Sequence, residues 1–159
     1  MARSVQLDGI DRTILAALQD DGRMTNLELA ARAGLTAPPC LRRVRGLEQA
    51  GVIQSYHARL NGPALGYGIT VMAMVSLRSQ AEADLRAFEA HVDALDEIRE
   101  CYMLNGEIDF ILKIVAHDLQ SFQAFLTSKI TPAPNVASVK TSLVIRTAKH
   151  RPGIPVDPV

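Results

Sequence analysis

The stretch GLTAPPCLRRVRGLEQAGVI, residues 34 to 53, places two prolines directly before an apolar stripe and three arginines. Prolines are tolerated in the first turn of a helix, because the backbone N–H groups there have no intrahelical partner to lose. The stretch therefore predicts a helix that begins after an N-cap at Thr36, contains Pro38 and Pro39 in its first turn, and ends at Gly51.

This predicted helix has an apolar side and a cationic side. Cys40, Val44 and Leu47 recur at helical spacing and predict the buried side. Three arginines fall largely off that stripe: Arg42, Arg43 and Arg45. The segment VIQSYHARL, residues 52 to 60, has the composition of a strand and follows the helix.

Two further helices are predicted before this one. A helical pattern of apolar residues follows a capping residue at Asp8 and stops at the sequence DDGR, residues 20 to 23. Thr25 and Glu28 form a capping box that opens a short second helix, which closes at Gly34. A capped short helix, a turn and a helix with exposed arginines is the helix-turn-helix arrangement, although an ordinary three-helix bundle has the same pattern.

The distribution of charge favours nucleic acid as a partner of the N-terminal part. Residues 23–59 contain six arginines and two glutamates, a net of +4, whereas residues 61–159 contain nine basic and eleven acidic residues, a net of −2. A polyanion is therefore attracted to one end of the chain only. No apolar run is long enough for a membrane span and no secretory signal is present, so we expect a cytoplasmic protein.

The two cysteines, Cys40 and Cys101, are predicted to be buried, reduced thiols. They are 61 positions apart, without a CxxC motif or a nearby histidine. This spacing indicates neither a disulfide framework nor a zinc site, and we expect no bound metal.

The C-terminal part predicts an α+β domain with the order βαββαβ. Strands are expected at residues 69–77, 98–104, 109–115 and 136–147, and apolar spacing predicts helices around residues 85–95 and 119–130. This order is that of the ferredoxin-like fold, in which two helices cover one face of an antiparallel sheet.

The other face of that sheet is predicted to bind a second copy of the chain. In the first strand, Met72 and Met74 lie between the residues of the helix-covered face, so the second face is also partly apolar. We expect residues 1–59 to form the helix-turn-helix domain, 60–67 a linker, 68–148 the ferredoxin-like domain, and 149–159 an extended, loosely held tail without an assigned role.

These features resemble the Lrp/AsnC family of feast/famine transcription regulators. The likeness lies in LDGIDRTIL near the start, in the long segment from DGRMTNLELAARAGLTAPPC to LRRVRGLEQAGVIQSY, and in the hairpin CYMLNGEIDFILKI. Many members have Ser-Pro where this chain has Thr36-Ala37-Pro38-Pro39. The resemblance implies a helix-turn-helix joined to an amino-acid-sensing domain, homo-oligomers from dimers to octamers or larger, and DNA binding controlled by a small amino-acid effector.

Candidate DNA-binding residues come from the third predicted helix and from the turn before the second. An arginine fork pairs with guanine or with phosphate oxygens, and a helix N-terminus attracts phosphate. The residues expected to contact double-stranded DNA are Arg23, Thr36, Arg42, Arg43 and Arg45. For Arg23, an ordinary solvated turn residue is an equal alternative.

Candidate effector-binding residues surround the hairpin NGEIDF, residues 105 to 110. An amino acid presents an ammonium, which carboxylates bind, and a carboxylate, which backbone N–H groups bind. By resemblance, Gly106, Glu107 and Asp109 match the family's Gly-Asp-x-Asp hairpin, with Tyr102 and Leu104 as pocket walls and Thr141 from the last strand. The alternative is a plain Asn-Gly turn with solvated acidic residues.

Two other classes of function compete with a regulator. An architectural DNA-packing protein would bind through phosphates with little sequence preference and no effector. An enzyme is not expected, because the four histidines fall in unrelated elements and no Gly-rich phosphate loop or nucleophile elbow is present. No cofactor is expected, and the sequence does not choose among effector amino acids.

Overall fold

The computed structural model describes residues 6–151 and 153–156. The chain divides into two compact units. The first, here called the helical unit, consists of Met1–Arg59 together with Lys149–Val159, and the second, the sheet unit, consists of Leu60–Ala148. The first part of the helical unit ends at Arg59, and the C-terminal segment from Lys149 belongs to the same unit.

The helical unit contains three helices, as predicted. They are α1 at Gly9–Asp20, α2 at Asn26–Arg32 and α3 at Ala37–Gln49. Asp8 and Thr25 each form a complete capping box, so the first two helix starts are fixed by their own side chains. Gly34 and Gly51 have φ angles of 65° and 71°, the left-handed conformation in which glycine ends a helix without strain.

The core of the helical unit is formed by all three helices. Ile14 and Cys40 are fully buried, and Leu29 and Leu47 lie beside them. The apolar stripes predicted for α1 and α3 are therefore the sides that pack together. The strand predicted at residues 52–60 is wrong, since no ladder partner for this segment exists among the described residues. A strand composition gives a strand only where a neighbour supplies hydrogen bonds.

The sheet unit has the predicted βαββαβ order. Its strands are β1 at Ile69–Leu77, β2 at Ile98–Met103, β3 at Phe110–Ala116 and β4 at Val136–Leu143. Helix α4 spans Glu82–Asp93, and helix α5 spans Leu119–Phe125 and continues as a π-helical turn at Leu126–Ile130. The strands form one antiparallel sheet in the order β2-β3-β1-β4, which is the ferredoxin-like arrangement.

The core of the sheet unit lies between the sheet and its two helices. Every second residue of β1 from Val71 to Leu77 is buried, and every second residue of β3 from Phe110 to Ala116 is buried with them. The rings of Phe88 on α4 and Phe110 on β3 lie 4.8 Å apart between centroids. The helices thus cover one face, and the opposite face is here called the open face.

The segment predicted as a linker, residues 60–67, packs within the sheet unit. It contains a single 3-10 turn at Pro63–Leu65, and the Tyr67 ring stacks on His117 with 4.5 Å between ring centroids. A ring nitrogen of His117 lies 2.8 Å from the carbonyl oxygen of Gly66. This segment is therefore held in place instead of being a flexible spacer.

The last strand and one cysteine differ from prediction. Strand β4 ends at Leu143 instead of residue 147. Its partner β1 begins at Ile69, and the Val144 N–H bonds to the Thr70 carbonyl next to that end, so little of β1 remains for later residues to pair with. Cys101 is exposed on the edge strand β2, whereas Cys40 is buried as expected. Among the residues that the structure describes, no helix has the length and apolar character needed to cross a membrane.

Candidate DNA-binding and effector-binding sites

The start of α3 lies at the turn of the helix-turn-helix motif and differs in detail from the prediction. Thr36 is the N-cap residue, but its hydroxyl makes no capping hydrogen bond. An N-cap side chain accepts from the second or third helical N–H group, and those positions are Pro38 and Pro39, which have none. The prolines also remove two of the N–H groups that a phosphate would use at this helix start.

Asn26 at the start of α2 stabilises the same turn. Its side-chain amide donates a hydrogen bond to the carbonyl oxygen of Ala37, 2.8 Å away, and so links the first turn of α2 to that of α3. Its Oδ1 atom is buried without a partner within the described part of the chain. The sequence does not reveal this contact, because Asn26 and Ala37 are eleven positions apart.

The three arginines of α3 are in different environments. Arg42 and Arg45 are exposed, and neither forms an ion pair with any residue that the structure describes. Arg43 is two-thirds buried, and its Nη1 atom lies 2.8 Å from Oδ2 of Asp8 and 2.8 Å from Oδ1 of Asp11. Arg42 and Arg45 are therefore available to an external anion, whereas Arg43 holds α3 to the start of α1.

The ion pairs of Arg43 change the acidity of the groups around it. The pKa of Asp8 is lowered, first by the hydrogen bond from the Asp11 backbone N–H and then by the Arg43 guanidinium. The pKa of Arg43 is raised by its bonds to Asp11 and Asp8. That Arg43 also contacts DNA stays a prediction. The sequence contains a sign that Arg43 links two helices, because two acidic residues three positions apart, Asp8 and Asp11, lie at the start of α1.

Arg23 lies in the turn between α1 and α2. Its backbone N–H donates to the side chain of Asp21, 2.9 Å away, which fixes the turn. The residue itself is exposed. The structure thus presents Arg23 to solvent on the helix-turn-helix motif.

The hairpin between β2 and β3 is built around Asp109, which is 8% exposed. One carboxylate oxygen accepts from the Leu77 backbone N–H and the other from the side-chain amide of Gln80, both at 2.7 Å. The backbone of Asp109 also donates to Val75 and accepts from Leu104. Asp109 therefore ties the hairpin to the end of β1, a role that the sequence did not reveal.

The remaining hairpin candidates are on the surface. Gly106 and Glu107 are exposed, and a side chain added at Gly106 would meet no atom within 4 Å. Tyr102 is 51% exposed and its hydroxyl donates to Glu100, 3.0 Å away, which raises the pKa of Tyr102. Leu104 is 38% exposed. The structure brings these residues together along one edge of the sheet.

Thr141 is separated from that edge. It pairs with Ala73 and so belongs to the helix-covered face of β4, whereas Tyr102 pairs with Ile111 on the open face of β2. Two strands, β3 and β1, lie between β2 and β4, a separation of roughly 14 Å at the usual strand spacing. One copy of the chain therefore does not join Thr141 to the hairpin residues in a single pocket.

The open face is partly apolar and partly charged. Its centre consists of half-buried Met72 and Met74 on β1 with Ile111 and Val115 on β3. On the β2 side, the Lys113 ammonium lies 2.7 Å from a carboxylate oxygen of Glu100. The predicted alternation of β1 is confirmed, and an apolar strip crosses a face that this chain's helices do not cover.

A helix-turn-helix with exposed arginines, joined to a ferredoxin-like sheet, defines a two-domain DNA-binding protein. No cluster of potential metal ligands is found among the described residues. Comparison with known proteins agrees with this class. Residues 7–54 match the winged helix-turn-helix DNA-binding family model, and residues 70–154 match the Lrp/AsnC ligand binding domain.

The relatives make the assignment specific. The chain is 52% identical over 149 residues to the leucine-responsive regulatory protein of Rhizobium meliloti, covering 94% of this chain and 96% of that protein. It is 38% identical to the Bkd operon transcriptional regulator of Pseudomonas aeruginosa, covering 95% and 99% of the two chains. The chain belongs to the Lrp/AsnC family and is a DNA-binding transcriptional regulator of that type. The expectation that it is not an enzyme is confirmed by the functions of these relatives.

Solved structures give the same result. A transcriptional regulator from Neisseria meningitidis in complex with L-methionine superimposes with a TM-score of 0.91 at 34% identity, covering 96% of this chain and 98% of that one. AsnC of Escherichia coli superimposes with a TM-score of 0.84 at 28% identity, covering 95% and 100%. The predicted fold class, a helix-turn-helix domain followed by a ferredoxin-like domain, is confirmed.

Proposed function

We propose that this regulator recognises specific DNA sequences through α3 and that a small amino acid controls its DNA binding by changing its self-association. The observation that carries the proposal is the apolar strip on the open face, which borders the hairpin between β2 and β3. A ligand bound beside a subunit interface shifts assembly only by binding one assembly state more tightly than another. The position of the hairpin at the border of the open face supports such coupling.

The proposed DNA contacts are graded by their environment. Arg42 and Arg45 are the principal contacts, to guanine edges or phosphates, because both are exposed and unpaired within the described chain. Arg23 and the backbone beside Thr36 contact the phosphate backbone. Arg43 contributes chiefly by holding α3, and any contact of its own with DNA is secondary.

The proposed oligomer begins with a dimer whose open faces pack together. Covering Met72, Met74, Ile111 and Val115 removes apolar surface from water, at about 25 cal/mol per Å². Two-fold symmetry then presents two copies of α3 to neighbouring turns of one DNA face, about 34 Å apart. Larger assemblies of such dimers, in the cytoplasm where the DNA is, complete the proposal.

The proposed effector site is completed by a second chain. Glu107 supplies a carboxylate for the ammonium, the hairpin backbone near Gly106 supplies N–H groups for the carboxylate, and Tyr102 and Leu104 supply walls. Asp109 holds these groups in position. The L-methionine bound by the Neisseria meningitidis neighbour supports an amino acid as the effector class, and Thr141 takes part only from another copy.

One experiment tests the amino-acid proposal. The melting temperature and the light-scattering mass are measured with each of the twenty amino acids, and DNA affinity is measured for a duplex selected from a random pool by this chain. We expect at least one amino acid to raise the melting temperature and to change both mass and affinity, and Glu107→Ala to abolish all three responses. A monomer at every concentration, or no response to any amino acid, contradicts the proposal.

The same measurements distinguish an architectural DNA-packing protein. Such a protein would bind selected and scrambled duplexes equally and would show a steep salt dependence with no effector response. We expect the selected duplex to be preferred by at least tenfold at 150 mM salt, on the order of the discrimination that one or two base contacts supply.

A further inference from the structure

The C-terminal tail docks on the first helix through its backbone. Gln19, near the end of α1, donates from its side-chain amide to the Ile154 carbonyl oxygen at 2.9 Å and accepts from the Ile154 N–H at 2.8 Å. The Gln19 amide thus bonds to both the N–H and the carbonyl of Ile154, as a residue of a neighbouring antiparallel strand would. The Ile154 side chain is 73% exposed, so the contact recognises the extended backbone of the tail.

The neighbouring glycine is required by the same contact. Gly153 has a φ angle of 72°, which side-chain-bearing residues rarely adopt, and a Cβ atom placed there would overlap the side chain of Gln19. The left-handed conformation selects glycine at this position, and a Cβ atom there would displace the Gln19 amide from its two bonds to Ile154. Both effects indicate a built docking site instead of a tail that touches the surface in passing.

The residues after this contact add an apolar anchor. Val156 packs against the buried core of the helical unit, beside the partly buried residues of α1 and α3. The helical unit is thus discontinuous in sequence, with the whole sheet unit inserted between residue 59 and residue 149. The sequence predicts a loosely held tail over residues 149–159. The contacts of Ile154 and Val156 contradict this for the described part of the tail, whereas residues 152 and 157–159 lie outside the described residues.

We propose that the tail, residues 149–151 and 153–156, is a strap that completes the helical unit, so that the folded state of α1 and DNA binding depend on a segment that follows the sheet unit in the chain. Helix α1 also holds α3, through the bonds of Arg43 to Asp8 and Asp11. The strap therefore acts on the recognition helix through α1. Only five residues separate the end of β4 from the first residue of the tail.

The test compares two truncations and three point variants of the chain. One truncation ends at Ala148 and removes the strap, and its matched control ends at Val156 and keeps every contact described above. Gly153→Ala disrupts docking without shortening the chain. Hydrogen exchange of α1 and of β1 is measured by mass spectrometry, together with affinity for a duplex selected by the unmodified chain and the light-scattering mass.

We expect the Ala148 truncation and Gly153→Ala to increase the exchange rate of α1 at least tenfold and to weaken DNA binding at least threefold, while exchange in β1 is unchanged. Gln19→Ala should behave like Gly153→Ala, and Gln19→Glu, which keeps the size but cannot donate to the Ile154 carbonyl, should lie between it and the unmodified chain. The Val156 truncation should match the unmodified chain.

Three outcomes would contradict the proposal that the tail acts as a strap. Unchanged exchange of α1 in the Ala148 truncation shows that the helical unit is complete without the tail. A change in subunit number with unchanged α1 exchange shows that the tail acts between chains. Faster exchange with unchanged DNA affinity shows that docking stabilises α1 but does not serve DNA binding. The exchange measurement needs neither effector nor DNA, so it stands apart from the proposed effector control.

Discussion

The helical unit presents its proposed binding groups on a single chain, whereas the sheet unit presents only part of a site. Arg42 and Arg45 project from one helix whose other side is packed by Cys40 and Leu47. The effector candidates are divided between the β2–β3 hairpin and Thr141 on the far edge strand. The exposed face of a helix can therefore be predicted from the spacing of its residues, whereas a site at the edge of a sheet also depends on what packs beside that edge.

Asp109→Ala tests this comparison most strongly, with the largest expected effect. It removes both hydrogen bonds of a buried carboxylate and leaves the Leu77 N–H and the Gln80 amide without their acceptor. Hydrogen bonds to charged groups contribute about 1.5–3 kcal/mol, and a net loss of roughly 3 kcal/mol in unfolding free energy is expected. Urea denaturation of the whole chain, followed for the sheet unit, measures this loss of unfolding free energy.

The control for Asp109 is its exposed neighbour. Glu107→Ala should change the unfolding free energy by less than about 0.5 kcal/mol, as surface substitutions usually do, while removing the amino-acid response. If Asp109→Ala were as stable as Glu107→Ala, the hairpin would not depend on its tie to β1. Asp109 would then be a direct effector ligand instead of a positioning residue.

Arg42→Ala and Arg45→Ala come next in size and test the helical unit. Each should weaken DNA binding by about 1–3 kcal/mol if it contacts a guanine, or reduce the salt slope by about one if it contacts phosphate. Neither should alter the melting temperature, since both side chains are exposed. Affinity titrations at several salt concentrations distinguish the two kinds of contact.

The matched control is an exposed arginine in the other unit. Arg86 on α4 is 75% exposed and pairs with Glu82 one turn earlier. Arg86→Ala should leave both DNA affinity and salt slope unchanged. Equal losses from Arg86→Ala and Arg42→Ala would mean that DNA binding reports total charge and not the α3 surface.

A double-mutant cycle of Arg43 and Asp11 has a smaller expected effect. Their ion pair is partly shielded, with side chains 32% and 16% exposed, and a coupling of about 1 kcal/mol in unfolding free energy is expected. The variants Arg43→Met, Asp11→Asn and their combination are unfolded in urea. Additive losses would show that the two groups do not stabilise each other and that this ion pair does not hold α3 to α1.

Sequence reasoning succeeded where the deciding contacts are local. Sequence-local contacts set the cap at Asp8, the capping box at Thr25, the glycines that end α2 and α3, and the alternation along β1. The same local reasoning failed for the Thr36 hydroxyl, although the missing proline N–H groups were visible in the sequence.

Contacts between distant residues could not be predicted. Asp109 bonds to Leu77 and Gln80 about thirty positions away, and Gln19 bonds to Ile154, 135 positions away. No periodicity relates such residues, so the sequence predicts neither the bonds of Asp109 to Leu77 and Gln80 nor the docking of the tail on Gln19. The separation of Thr141 from Tyr102 follows from the strand order, which places the two residues on opposite edge strands of the sheet.

The smallest effect is expected from acid, and it compares helix caps in the two units. The pKa of Asp8 on α1 is lowered chiefly by the backbone N–H of Asp11, and that of Asp118 on α5 chiefly by the backbone N–H of Ser121. Since folding lowers both pKa values, each carboxylate stabilises the fold fully above its ordinary pKa near 3.8, and the contribution is lost as pH falls through the lower value in the folded state.

Asp8→Asn and Asp118→Asn keep a side chain that caps a helix but remove the charge. Urea unfolding from pH 6 to pH 2 should show each variant less stable than the unmodified chain at pH 6, with the difference shrinking towards pH 2. Because Asp8 also pairs with Arg43, its difference should exceed that of Asp118. A difference that stays constant with pH would assign the stabilisation to side-chain shape instead of charge.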